Sequence, residues 1–468
     1  MFRPALLAAL LAASPVLAQP VAAPDCTAGA ELSEHGGLGL EVTVRCRATQ
    51  PIAFEMGEAR AAPYVAGLEV GQGNGIAEAR YRFDLSGLAR GVDSTSLAVQ
   101  RGNGVLATLG TWLLEPRGYD RPPVIDIRVT TGPGLAFAAG LPKVGDAWRL
   151  AGTSVRFAGY TALGRLTWRE LAVPAPGSLR PGQPPSRGVL RIALLDGVAE
   201  ASRADVLDWV DRTAQAQTNY WQGFTARQAL VGLVPMAGRR GVGHGRSVPG
   251  GGATVMVEIG KDVDRHRLLG DWVLTHELVH TGMPFIRGRG TWFMEGAATY
   301  VEPIVRARAG WKTEEEVWRE WIDNMPKAVP AFASGLANAA GRENYWGGAL
   351  FMLLADLSIR RASQGAMGLE DCLGGVLWSG LDGAQRVSVG GYAAACDRAT
   401  GMPVMSALVD RHFNRGEPFD LAALWRDLGV SLIGGRISLD DAAPGAAWRR
   451  MIVPGNRPAR PVKLPWQS

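Results

Sequence analysis

The feature that most constrains this chain is the segment 273–281, VLTHELVHT. His276 and His280 lie four positions apart, which on a helix places both imidazoles on one face, a turn apart. Two rings so placed can grip one small cation, and Glu277 between them points toward the same space. Histidine is scarce, with six in 468 residues. Two of the six at this spacing, with a glutamate after the first, are improbable in a random apolar helix. The fold must therefore bury one face of this helix and bring a further acidic ligand to it from elsewhere.

His-Glu-x-x-His on a helix is the pattern in which two imidazole nitrogens hold zinc and the glutamate acts as general base. A catalytic zinc takes three protein ligands and keeps its fourth position open. Glu295, with fourteen residues between it and His280, is the expected third ligand, at the start of a second helical run. Glu302 shares a helical face with Glu295 and is expected behind the metal as a partner for a ligand histidine, with Thr299 as a further candidate. One zinc per chain is expected, since no second ligand cluster is present.

The block from Trp292 to Glu302, WFMEGAATYVE, resembles the E-G-x-A-x-Y-x-E block of the gluzincin metallopeptidases. The glycyl aminopeptidase and membrane alanyl aminopeptidase families come nearest. Tyr345-Trp346-Gly347-Gly348 resembles the segment in which those families carry a catalytic tyrosine. The resemblance covers about residues 190–360 and implies a thermolysin-like α+β zinc peptidase domain. It also implies Tyr345 as oxyanion donor; Tyr300 and His412 are the fallback donors among the remaining residues. It further implies that the strand before the histidine helix lies at a sheet edge and pairs with extended substrate, here through Ala253, Thr254, Val255 and Met256. The chain departs from the alanyl aminopeptidases in a shorter interval from His280 to Glu295, in Met294 where they carry asparagine, and in lacking G-x-M-E-N ahead of the zinc helix. That last motif helps capture a free amino end. Its absence favours endopeptidase over aminopeptidase action, with Glu258 as the one acid on the segment 250–259.

Residues 1–18 have the form of a secretory signal peptide, an arginine followed by a short apolar run and Val-Leu-Ala. The run is too short to span a bilayer and no later segment is long enough. Cys26, Cys46, Cys372 and Cys396 fit disulfides in an oxidising compartment, with the two local pairings favoured because they close short loops. A periplasmic or secreted protein is expected. Residues 19–173 alternate short apolar runs with glycine and proline, a β-rich region of one or two sandwich-like units. A Pro/Gly linker follows at 174–188, then a catalytic domain at 189–360, a helical part at 361–453 and a tail at 454–468. The histidine helix is expected over 264–282 with Asp262 or Asp264 as cap, and the glycine-rich segment 238–252 as a mobile loop beside the cleft.

The formal charge of +5 is modest and its basic residues are scattered, so no nucleic-acid partner is expected. The partner is a peptide or protein substrate. Two other readings are a catalytically silent zinc fold binding peptides or envelope components, and an adhesive or carbohydrate-binding β region. The intact Glu277 argues against the first, and the lack of repeats or an aromatic strip against the second.

Overall fold

The computed structural model describes residues 23–453. The expected signal peptide and the tail from 454 lie outside the described residues. In the strands Cys26–Glu34 and Leu38–Arg47 the sequence alternation buries every second side chain, as a two-residue period requires. They pair antiparallel with Cys26 opposite Cys46, and these two cysteines are disulfide-bonded. Seven strands from this region form one sheet and four form another, closing over a core that includes Trp112, Trp148 and Phe83. The second disulfide, Cys372–Cys396, joins the helices Leu369–Trp378 and Val389–Thr400. Both bridges are the short-loop pairings expected.

A five-stranded sheet follows. In spatial order its strands are Thr167–Pro174, Arg187–Leu194, Gln228–Met236, Ala253–Gly260 and Val242–Pro249. The three central strands are parallel and the two outer ones antiparallel to their neighbours. The helix Glu200–Trp221 makes the crossover between the first parallel pair.

This order corrects three expectations. The segment 174–188 is not an interdomain linker: it connects two antiparallel neighbours of one sheet, so the sheet begins with residues on the far side of it. Its prolines sit in the connection and at a strand end, where no ladder N–H is needed. The segment 238–252 is not a free loop, because most of it is the outermost strand, Val242–Pro249. Consequently the strand Ala253–Gly260, carrying Ala253, Thr254, Val255 and Met256, is second from the edge and buried along its whole length. An uninterrupted apolar run is the pattern of a strand covered on both faces. One face packs on the helices; Met256 on the other meets Leu106 and Tyr160 of the β-rich region. Thr254 Oγ1 there accepts the Tyr160 N–H at 3.0 Å.

From Val273 onward the chain is mainly helical, as expected for its C-terminal part, around one large core containing Trp292, Phe293, Trp318, Trp321 and Phe351. Among the described residues no helix is long and apolar enough to cross a membrane.

Candidate metal centre

The histidine helix is shorter than its periodicity suggests. Asp264 caps a first turn, Arg265–Leu269. The chain then breaks at Gly270-Asp271, and Val273–Thr281 starts afresh with Asp271 accepting the Val273 N–H at 2.7 Å. Gln217 from the crossover helix donates to the Thr275 carbonyl at 2.7 Å and ties this helix to the sheet layer.

His276 Nε2 lies 3.3 Å from His280 Nε2 and 3.3 Å from Glu295 Oε2, and His280 Nε2 lies 3.6 Å from the same oxygen. A tetrahedral zinc with bonds of about 2.1 Å has ligand-to-ligand edges of about 3.4 Å, so the three donors already stand at the spacing of one face of such a tetrahedron. Two imidazoles and one carboxylate are also a ligand set that zinc takes at catalytic sites. Residues and geometry fit the metal. Burial works against charge on Glu295, yet its contacts with His276 and His280 hold its carboxyl well below the usual range. On His280 burial lowers the pKa, and the Glu295 carboxylate overcomes this and raises it.

Two glycine contacts explain how Glu295 and Tyr345 come together. Glu295 lies in the first turn and a half of the helix Thr291–Arg308, and Tyr345 in the first turn of Arg342–Ala362. The helices cross where Gly296 meets Gly348: a Cβ on Gly296 would stand 2.2 Å from the Gly348 Cα, and one on Gly348 1.9 Å from the Trp292 carbonyl oxygen. Only glycine permits this approach. Tyr345 then stacks on His276 with ring centroids 6.2 Å apart. Its hydroxyl pKa is raised by partial burial and by the Glu295 and Glu277 carboxylates.

The third wall of the site is the outermost strand, a segment that the sequence placed beside the cleft but as a mobile loop rather than a strand. A cavity of about 530 Å³ is lined by the two histidines, Glu277, Glu295, Tyr345 and this strand from Gly243 to Ser247. Gly245 is pressed against the histidine helix, and a Cβ there would stand 2.4 Å from Val273 Cγ1 and 2.7 Å from Glu277 Cγ. His244 and Arg246 flank it on the same cavity. The available signal was the spacing of Gly241, Gly243 and Gly245 just ahead of an apolar strand: glycine can mark a close backbone approach as well as a loop.

Other expected site residues lie elsewhere. Glu302 is buried but pairs with Arg306 at 2.8 Å rather than with a histidine ring, because one helical turn brings that guanidinium to it. The buried His276 Nδ1 and Thr299 Oγ1 make no hydrogen bond among the described residues. Tyr300 is a core residue, its hydroxyl donating to Asp356 at 2.8 Å and its ring stacked on Trp321. His412 packs on Phe332 and does not line the cavity. Glu258 is turned away from the metal centre, accepting from Thr95 Oγ1 at 2.9 Å and from Arg239 at 3.3 Å. Ala253, Thr254, Val255 and Met256 are absent from the cavity wall.

No protein-family model matches the chain, and no curated protein matches it in sequence. Among solved structures it is similar to an aminopeptidase N family protein from Idiomarina loihiensis, with TM-score 0.58 at 15% identity, over 86% of this chain and 78% of that one. It is also similar to Legionella pneumophila aminopeptidase A in complex with aspartic acid (TM-score 0.49, 11% identity, 84% of this chain and 50% of that one) and to native yeast LTA4 hydrolase (0.46, 11%, 86% and 71%). The first likeness is one of fold. The β-rich region ahead of a sheet-and-helix layer and a helical C-terminal part form the multidomain arrangement of aminopeptidase N-like proteins.

Proposed function

We propose that this chain, folded as the gluzincin metallopeptidases are, is an exported zinc-dependent peptidase that cuts within peptide chains. The observation that carries the reading is the joint placement of the His276, His280 and Glu295 donor triangle, Glu277 and Tyr345 on one cavity. Zinc held by the three donors supplies a Lewis acid for the scissile carbonyl and lowers the pKa of water toward ~7. Glu277 reaches the cavity beside the histidines and takes a proton from the attacking water, then returns it to the leaving amine. The Tyr345 hydroxyl, held in its protonated form by its surroundings, donates to the oxygen that gains charge. The outer edge of Val242–Pro249 offers unpaired backbone groups to an extended substrate.

The choice of internal cleavage rests on the acids of the cavity. Among the described residues lining it, Glu277 and Glu295 are the only carboxylates, and both are engaged in the chemistry above. An amino terminus would need a further fixed carboxylate, while the adjoining strand presents His244 and Arg246. The aminopeptidase reading, of the glycyl aminopeptidase type, draws on the similarity to an aminopeptidase N family protein. Export is supported by the form of residues 1–18 and by the two disulfides.

The test is hydrolysis of a peptide library with free and acetylated amino ends, by the wild type and by Glu277→Gln. The variant should keep zinc and fold and lose at least about 10²-fold in rate. Acetylation should leave most of the wild-type rate intact. Stepwise loss of single residues from free-amine peptides only would establish the aminopeptidase reading instead.

A further inference from the structure

Beside the metal centre lies a second cavity of about 770 Å³, sharing Ser96, Arg246, Ser247 and Phe285 with the first. Its wall carries four arginines: Arg60 and Arg156 from the β-rich region, Arg246 from the outermost strand and Arg386 from the helical part. Among the described residues Arg156, Arg246 and Arg386 make no ion pair; Glu58, the one carboxylate on this wall, is paired with Arg60 at 3.0 Å and also feels the Arg156 charge. The Arg246 guanidinium is fixed by donation to the Ser96 carbonyl at 2.6 Å.

Arg386 is the best placed. Residues Arg386–Val387 pair in parallel with Phe285–Ile286, so Arg386 stands directly opposite Phe285, four residues beyond the end of the histidine helix at Thr281. Its guanidinium lies over the Phe285 ring at 5.5 Å and over the Phe157 ring at 4.9 Å. Both rings are unusually open, 41% and 48% exposed. Two aromatic faces hold the planar cation without consuming its N–H donors, which leaves its fork free for a carboxylate. The outermost strand leads there from the metal centre. Gly245 faces Glu277, Ser247 and Val248 line the second cavity, and three residues of extended chain span about 10 Å.

We propose that Arg386, with Arg156 and Arg246, forms a carboxylate-binding subsite that makes this chain prefer peptides with an acidic group about three residues from the cleaved bond. The proposal rests on the peptidase reading for the cut and on the groove alone for the binding. The carboxylate can come from an Asp or Glu side chain or from the peptide's own C-terminus.

The experiment compares peptides carrying Glu or Gln at each position within about four residues of the cut, each as free acid and as C-terminal amide. The readouts are kcat/KM with the wild type and with Arg386→Gln, and affinity for the full-length Glu277→Gln protein. The Glu peptide should be favoured about tenfold at one position, the preference falling as salt rises to about 0.5 M. Arg386→Gln should bring the ratio toward one. A loss confined to amidation assigns the subsite to the C-terminal carboxylate, and a loss confined to Glu→Gln to a side chain. Turnover without preference for either carboxylate, or a ratio unchanged in Arg386→Gln, overturns the subsite and leaves the peptidase reading standing. Preferential binding of the acidic peptide by Glu277→Gln, with no turnover by the wild type, overturns the peptidase reading and upholds the subsite.

Discussion

Replacing Gly348 by alanine puts the positioning of Tyr345 to a direct test. The added Cβ would stand 1.9 Å from the Trp292 carbonyl oxygen and 2.6 Å from the Gly296 Cα. Both are backbone atoms of the helix that carries Glu295, so no side-chain rotation relieves the clash. The helices must separate by about 1.5 Å to reach ordinary contact in a close-packed core. Overpacking of this kind costs about 1–3 kcal/mol in stability. Tyr345 lies less than a turn before Gly348 and Glu295 immediately precedes Gly296, so the same gap opens between the proposed hydroxyl donor and the proposed metal ligand. A displacement of about 1 Å at a reacting group is worth on the order of 10²-fold in rate. The neighbouring glycine supplies the control: a Cβ on Gly347 meets only Ala331 Cβ and Leu336 Cδ2, each at 3.2 Å. Gly348→Ala should lose about 10²-fold in kcat on a fluorogenic peptide, while Gly347→Ala stays within a few-fold of wild type. Equal kcat in the two variants, with both folded, would refute the claim that the helix crossing sets the tyrosine.

Further outcomes follow from the site and its surroundings. Purified protein should hold about one zinc per chain by elemental analysis, and His280→Ala should lose most of it; full retention would remove the triangle as the binding site. Tyr345→Phe should lower kcat more than it raises KM, as for a donor that acts in the transition state; an unchanged kcat would return Tyr345 to a packing role. Burial, opposed by Arg306, pushes the Glu302 carboxyl up to about 7 from 4.5. A group raised in this way binds more protons folded than unfolded between those values, so stability should fall as pH climbs from about 4.5 to about 7 and level off above. Thermal melts against pH should show that slope in the wild type and lose it in Glu302→Gln; the same slope in both would assign it to another group.

What the sequence determined by itself is local in physical origin. The i, i+4 spacing of His276 and His280 places two donors on one face whatever the rest of the chain does, and alternation from Leu38 to Val44 marks a half-buried strand without reference to its partners. The cysteine pairings were legible because short loops close at low entropic cost. What only the tertiary structure decided depends on which strand lies beside which. Whether Ala253–Gly260 or Val242–Pro249 forms the edge is a matter of sheet order, and a glycine-rich segment reads equally as loop or as close-packed strand until its neighbour is known. Glu302 and Arg306 could be seen to share a helical face, but not that their pairing would exclude a histidine. Glu258 on a strand could point either way until Thr95 and Arg239 arrived to bind it. Arg386 stands more than a hundred residues from His280 in sequence and reaches the groove through a two-residue strand pair. Long-range contacts of this kind leave no periodicity behind, which is why the His276, His280 and Glu295 grouping could be anticipated from the chain, whereas the order of the strands and the arginine-lined cavity could not.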